Sequence, residues 1–246
     1  MSDRPAPTDP WAALRAATRA RVGLGRAGDA LPTGALLDLQ AAHALARDAV
    51  HDALDVEAVR GQLADRPTVV ADSAAPDRVT YLQRPDLGRR LAPDSRTRLT
   101  GLGPAPDLVV VLADGLSARA VVAHAVPVLD AVLGQLDDWT VGPVVLARQA
   151  RVALGDEVGQ LLGARLCLVL VGERPGLSAP DSLSAYLTWA PAPGRRDSER
   201  NCVSNIRPPH GMSVAAAAAT LVSLLREARV RELSGVALKD DFPALP

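Results

Sequence analysis

Leu166-Cys167-Leu168-Val169-Leu170-Val171, followed at once by Gly172-Glu173-Arg174-Pro175-Gly176, is the stretch on which the fold turns. Six uncharged apolar residues bounded by turn formers read as a strand buried on both faces, the type found in parallel sheets. In open α/β sheets, ligands bind just beyond the carboxyl ends of such strands. Glu173 and Arg174 therefore stand either in a surface turn, as a solvated pair, or in a ligand-facing loop. The stretch alone favours the turn.

Two more runs of the same kind lie upstream. Leu108–Ala113 precedes Asp114-Gly115 and a helix expected over Ser117–Leu136, and Val144–Ala147 precedes a helix from about Leu154 to Leu162. This alternation predicts a right-handed parallel βαβαβ unit. A further strand is expected at Ala185–Trp189 and a last helix at Val214–Arg229, whose Ala215–Ala219 run favours helix. Topology then puts Asp114-Gly115, Arg148–Val152 and Gly172–Gly176 on one carboxyl edge, and three converging loops strengthen the case for a site there.

Before the sheet, Asp9-Pro10-Trp11 reads as a capped helix start, running to about Val22 and stopping at Gly23. A second helix opens at Pro32-Thr33 and carries a stripe of Leu36, Leu39, His43, Ala46 and Val50 to near Leu54, with a further helical piece at Val56–Leu63. Short strands are expected at Thr68–Ala71 and Val79–Leu82, a short helix from Pro85, and a linker at Gly101–Pro106. The expected fold class is α/β, a parallel doubly wound (Rossmann-like) sheet domain over residues 66–246. A small all-helical N-terminal domain, residues 1–65, is expected before it.

Composition excludes several classes of function. With 48% hydrophobic and 22% charged residues and a net charge of −1 over 246 residues, there is no electrostatic case for a nucleic-acid or membrane partner. No apolar run reaches membrane-spanning length, and the polar, Pro-rich start from Met1 to Pro10 is not a signal peptide. A cytoplasmic location is expected. Cys167 and Cys202 make neither a disulfide framework nor a zinc site. His43 and His51 are too far apart for a helical metal pair, and neither His124 nor His210 stands beside a metal-binding cluster, so no metal site is expected.

Two motifs read better as structure than as chemistry, and a third stays open. Gly23-Leu24-Gly25-Arg26-Ala27-Gly28 fits a dinucleotide fingerprint in spelling, but a helix rather than a strand precedes it, so it reads as a Gly-rich helix stop. Ser117 lacks the G-x-S-x-G elbow of a nucleophile and reads as a helix cap. Arg200-Asn201-Cys202-Val203-Ser204-Asn205-Ile206 reads as a loop, either using Asn and Ser for local turns or facing a ligand with amide and thiol groups.

Taken in order, several segments resemble the small subunit of ethanolamine ammonia-lyase. They are Leu24–Gly28, Tyr81–Leu91, Asp114–Ser117, Gly172–Leu177 with Ser182-Leu183-Ser184 and Tyr186, Cys202–Ile206, and the Ala-rich last helix with Ser234-Gly235. The resemblance spans about residues 11 to 240. It implies a radical lyase that uses adenosylcobalamin to convert ethanolamine to acetaldehyde and ammonia, in which a large barrel subunit holds the substrate and the small subunit closes over the corrin. Six copies of each subunit are implied. The family's cobalamin contacts fall here on Val152, Glu173 and Cys202, and no catalytic residue is expected in this chain. The chain has no Asp-x-His-x-x-Gly segment of the kind that supplies a histidine to cobalt. It also starts close to the first matching helix, without the longer leader of some members, so a cytoplasmic location is expected rather than a bacterial microcompartment. The residues by themselves leave an alternative: a stand-alone Rossmann-like protein, binding or regulatory, with a nucleotide-type ligand at the same sheet edge.

Overall fold

The computed structural model describes residues 9–239; residues 1–8 and 240–246, the outermost parts of the two expected domains, lie outside them. The elements in order are α1 (Ala12–Ala17), α2 (Thr33–His51), α3 (Val56–Gln62), β1 (Thr68–Asp72), α4 (Arg78–Gln83), α5 (Pro93–Leu99) and β2 (Leu108–Ala113). Next come α6 (Ala118–Ala120), a π turn at Val121–Ala125, α7 (Val126–Leu133), β3 (Val144–Arg148), α8 (Leu154–Leu161), β4 (Leu166–Gly172), β5 (Leu183–Trp189), β6 (Arg200–Ile206) and α9 (Val214–Arg231).

One six-stranded sheet, in the order β1-β3-β2-β4-β5-β6, organises the molecule. Strands β1 to β4 are mutually parallel. Every residue of β2 and β4 is buried, as their uninterrupted apolar sequences require. Each buried Val or Leu side chain contributes about 1.5–3 kcal/mol, so these two strands anchor the fold. Alternate residues feed two cores. Leu108, Val110 and Leu112 face a layer formed with α7 and α9, which also takes Leu54, Val59 and Leu63 from around α3. Val109, Val111 and Ala113 face the other layer, with Leu99 of α5 and Leu154 and Val158 of α8.

The all-parallel expectation holds only for β1 to β4. Strand β5 runs antiparallel to β4, and β6 antiparallel to β5. The cause is the connection: residues 173–182 contain no helix, and a parallel return needs a crossover of about a dozen residues or more. Residues 200–206, read from sequence as a loop, are strand β6. Their alternation is obscured because the register slips by one residue near Leu183 and Ala185, so that Val203 and Ile206 both turn inward.

Other differences have local causes. The strand expected at Val79–Leu82 is helix α4, which starts because the Asp77 side chain accepts the Thr80 N–H at 2.7 Å. The helix expected from Pro85 shrinks to a single turn at Leu87–Arg89, and α5 follows instead, with Pro93 in its first turn. Helix α1 ends at Ala17, short of Val22, as Thr18 turns extended. Ser117 caps α6 as expected, its side chain accepting the Ala120 N–H. Gly23, Gly25 and Gly28 all have positive φ, but α1 has already ended at Ala17, so they do not stop it; only Gly28 lies in a turn, between Ala27 and Ala30, and no strand precedes them as a phosphate loop needs. Along α2 only Ala46 and Ala49 are buried, while Leu36 and His43 of the expected stripe are exposed. No helix among the described residues is long and apolar enough to cross a membrane.

Candidate functional site

At the carboxyl edge, the ends of β2, β3 and β4 are fastened together before any ligand is considered. Asp114, just past β2, is buried and accepts the backbone N–H groups of Gln149 (2.8 Å) and Ala150 (2.9 Å) beyond β3. Burial pushes its carboxyl up, opposed by those two N–H bonds and by Arg78. Gly115 has φ +54°, and a β-carbon there would overlap the carbonyl of Gly172 at the end of β4. The Leu116 N–H donates to that same carbonyl at 3.0 Å. The loops expected to share one edge do share it.

A buried aromatic stack stands beside this junction. Tyr81 of α4 is fully buried and donates its hydroxyl to the Ala150 carbonyl at 3.1 Å. Arg78 and Arg151 each stack on its ring, at 4.8 and 4.4 Å from the centroid. Arg78 also donates to the carbonyls of Val50 (2.6 Å) and Gly115 (3.0 Å), tying the end of α2 to the edge.

Glu173, first after β4, is partly buried. Its backbone N–H donates to the Ser182 carbonyl at 2.8 Å, closing the base of the 173–182 loop. Its Oε1 accepts from the Ser184 hydroxyl (2.6 Å) and from the Asn205 N–H (2.8 Å). One carboxylate oxygen thus joins β4, β5 and the irregular end of β6, where Asn205 takes a positive φ of 58°. The other oxygen accepts no hydrogen bond from the described residues.

Val152 and Glu173 line the same cavity of about 130 Å³, together with Tyr81, Arg151, Ser184 and Tyr186. An adjoining cavity of about 340 Å³ is lined by Arg151, Val152 and Tyr186 again, with Arg89, Arg195 and Asp197. Cys202 lines neither. It lies on β6 directly opposite Tyr186 of β5, and it is exposed. Burial first, then the Cys202 thiol and the charge of Glu173, hold the Tyr186 phenol up at about 12. Tyr186 is therefore a neutral donor at any ordinary pH.

The shape of this region comes from where α8 stops covering the sheet. Asp156, in the first turn of α8, holds Arg200 of β6 through two bonds of 2.5 and 2.6 Å, and Arg200 also donates to Thr188 of β5 at 2.9 Å. That end of β5 and β6 is sealed. Nearer the carboxyl edge, Tyr186 is half-buried and Cys202 is open. The result is a shallow shelf on the two outer strands, opening into the cavities around Arg151 and Val152.

A family model described as "Ethanolamine ammonia-lyase light chain (EutC)" matches residues 8–239. The chain belongs to this family. It is 53% identical over 98% of its length to the ethanolamine ammonia-lyase small subunit of Pseudomonas syringae pv. tomato, covering 86% of that protein. It is 54% identical to the small subunit of Azotobacter vinelandii, over 98% of this chain and 92% of that one. The small subunit of Xanthomonas campestris pv. campestris is 54% identical, over 96% and 89% of the two chains.

For a light chain of this family, the three residues singled out from sequence divide two and one: Val152 and Glu173 share a cavity, and Cys202 sits on the neighbouring shelf. Tyr81, Arg151 and Ser184 were not singled out as site residues. Tyr81 and Arg151 meet only through the fold, so neither carries a local signal. Ser184 and Tyr186 follow Ser182 at the spacing of one strand face, which is a signal only once β5 is known to start at Leu183. Among the described residues, no three of His, Cys, Asp and Glu gather as a metal-holding cluster.

Proposed function

We propose that this chain is the cofactor-closing subunit of an ethanolamine ammonia-lyase, which converts ethanolamine to acetaldehyde and ammonia together with a large subunit that holds the substrate. The observation that carries the reading is the meeting of Val152 and Glu173 in one cavity, beside a shelf bearing Tyr186 and Cys202. A flat, amide-fringed corrin suits a wide shallow surface better than a deep pocket.

The residues present fit adenosylcobalamin. When bound, that cofactor supplies a cobalt–carbon bond that breaks homolytically to give a hydrogen-abstracting radical. This chain's part is binding and orientation. The Glu173 oxygen without a donor among the described residues can accept from a corrin carboxamide or a ribose hydroxyl. Val152 offers an apolar edge, and Cys202 a small, weakly polar contact. Tyr186, neutral and half-buried, offers a ring face and a donor. None of these groups need move a proton, so we assign no catalytic residue here. A shelf open on one side also needs a second surface to exclude water, which the large subunit would supply.

The test is co-expression with the large subunit from the same organism, assaying acetaldehyde with and without adenosylcobalamin. Turnover that needs both chains and the cofactor is expected. Full activity from the large chain alone would remove the role assigned to this one.

A further inference from the structure

Arg151 has the attributes of a ligand-binding guanidinium held ready. Its backbone N–H donates to the Gly88 carbonyl at 2.8 Å, and its stem packs on Gly88, where a β-carbon would stand 3.0 Å from Cγ. Its guanidinium stacks on the buried Tyr81 ring, which is itself fixed by Ala150. Yet the side chain has no hydrogen bond and no carboxylate partner among the described residues, and its Nε is buried without an acceptor. The contrast with Arg78 on the same ring is direct: Arg78 bonds to Val50, Gly115 and Gln149 and pairs with Asp114.

Arg151 lines both cavities, and in the larger one its neighbour Arg89 is also without a side-chain acceptor among the described residues. Arg195 there is already engaged by the Ala190 carbonyl and by Glu199. The lone carboxylate on the lining, Asp197, is almost wholly exposed. Two uncommitted guanidiniums, one of them restrained by stacking, make a donor array suited to an anionic oxygen group. Adenosylcobalamin carries one anion on its periphery, the phosphodiester that links the corrin to its benzimidazole nucleotide; its other side chains are neutral amides.

Resting on the cofactor reading above, we infer that Arg151, with Arg89 beside it, forms the subsite for that phosphodiester. The stack on Tyr81 keeps the guanidinium plane from collapsing onto protein acceptors. Less side-chain freedom is then lost when the phosphate arrives.

The experiment titrates the complex of this chain and the large subunit, by absorbance, with adenosylcobalamin and with adenosylcobinamide, which lacks the phosphodiester and the nucleotide. Arg151→Gln and Arg89→Gln are each expected to weaken adenosylcobalamin binding roughly ten- to hundredfold and to leave adenosylcobinamide binding within about twofold. Arg151→Lys, which keeps the charge and stem but not the fork, should fall between. Unchanged adenosylcobalamin affinity in Arg151→Gln overturns the inference, and so does equal weakening toward both corrinoids. Should Arg151→Gln fail to fold, the exposed Arg89→Gln decides on the same terms. A parent complex that binds neither corrinoid overturns the cofactor reading itself, a result distinct from the others.

Discussion

In the proposed role, Glu173 would serve two purposes through separate oxygens. Oε1 ties Ser184 and Asn205 to the end of β4, and the second oxygen remains for a ligand. The two purposes separate by substitution. In Glu173→Gln the amide oxygen can still accept from both donors, so thermal stability should be unchanged while cofactor affinity falls. Glu173→Ala should lose about 1 kcal/mol of stability as well, with assembly into the complex intact. Cofactor titration and a melting curve check both; Glu173→Ala binding as tightly as the parent would return the residue to a structural role. The position of Glu173 at a strand end is legible from the buried strand before it, whereas its ligand role comes only from the family resemblance. Cys202 reads from sequence as a loop residue because the one-residue slip in β6 hides the alternation that marks a strand. The Tyr81–Arg151 stack was not legible at all, since it depends on α4 folding against the loop after β3.

At the scale of elements, the site's rigidity comes from glycines where strands and helices press together. A β-carbon on Gly172 would overlap the carbonyls of Ser117 and Asp114 at the end of β2, and one on Gly155 of α8 would overlap Val169 of β4. Gly172 thus matters for space, and Gly115 for both space and its positive φ. Gly172→Ala should cost at least about 3 kcal/mol, because the obstruction is backbone that cannot step aside. Chemical denaturation measures it, and a loss under about 1 kcal/mol would show that the strand ends are loose. Strands β1 to β5 were legible from apolar runs, while β6 was not, and the strand expected at Val79–Leu82 is helix. Strand direction was not: it depends on whether the connection after β4 holds a helix, and the Gly- and Pro-containing 173–182 segment does not.

Across the whole molecule, the two tyrosines set an alkaline limit. Burial and the charge of Asp114 push the Tyr81 phenol up, and burial with the Cys202 thiol pushes Tyr186 up to about 12. In the unfolded chain both would ionise near pH ~10. Above that, the unfolded state binds fewer protons than the native one, so stability is full below pH ~10 and falls as pH rises toward the native values. Phenolate absorbance should therefore stay low until unfolding begins, and Tyr186→Phe should soften the decline. A native phenolate titrating near pH ~10 would contradict the enclosure of these rings.

The same sheet treats its two cysteines oppositely. Cys167 lies buried inside β4 beneath α8, whereas Cys202 is exposed on β6, although burial raises both thiols. At alkaline pH a thiol reagent should accordingly label Cys202 in the native chain and Cys167 only on unfolding. That makes Cys202 a natural reporter. If the proposed function holds, its labelling rate should drop when the large subunit and the corrinoid cover the shelf, so the kinetics of closure can be followed without adding a probe by mutation.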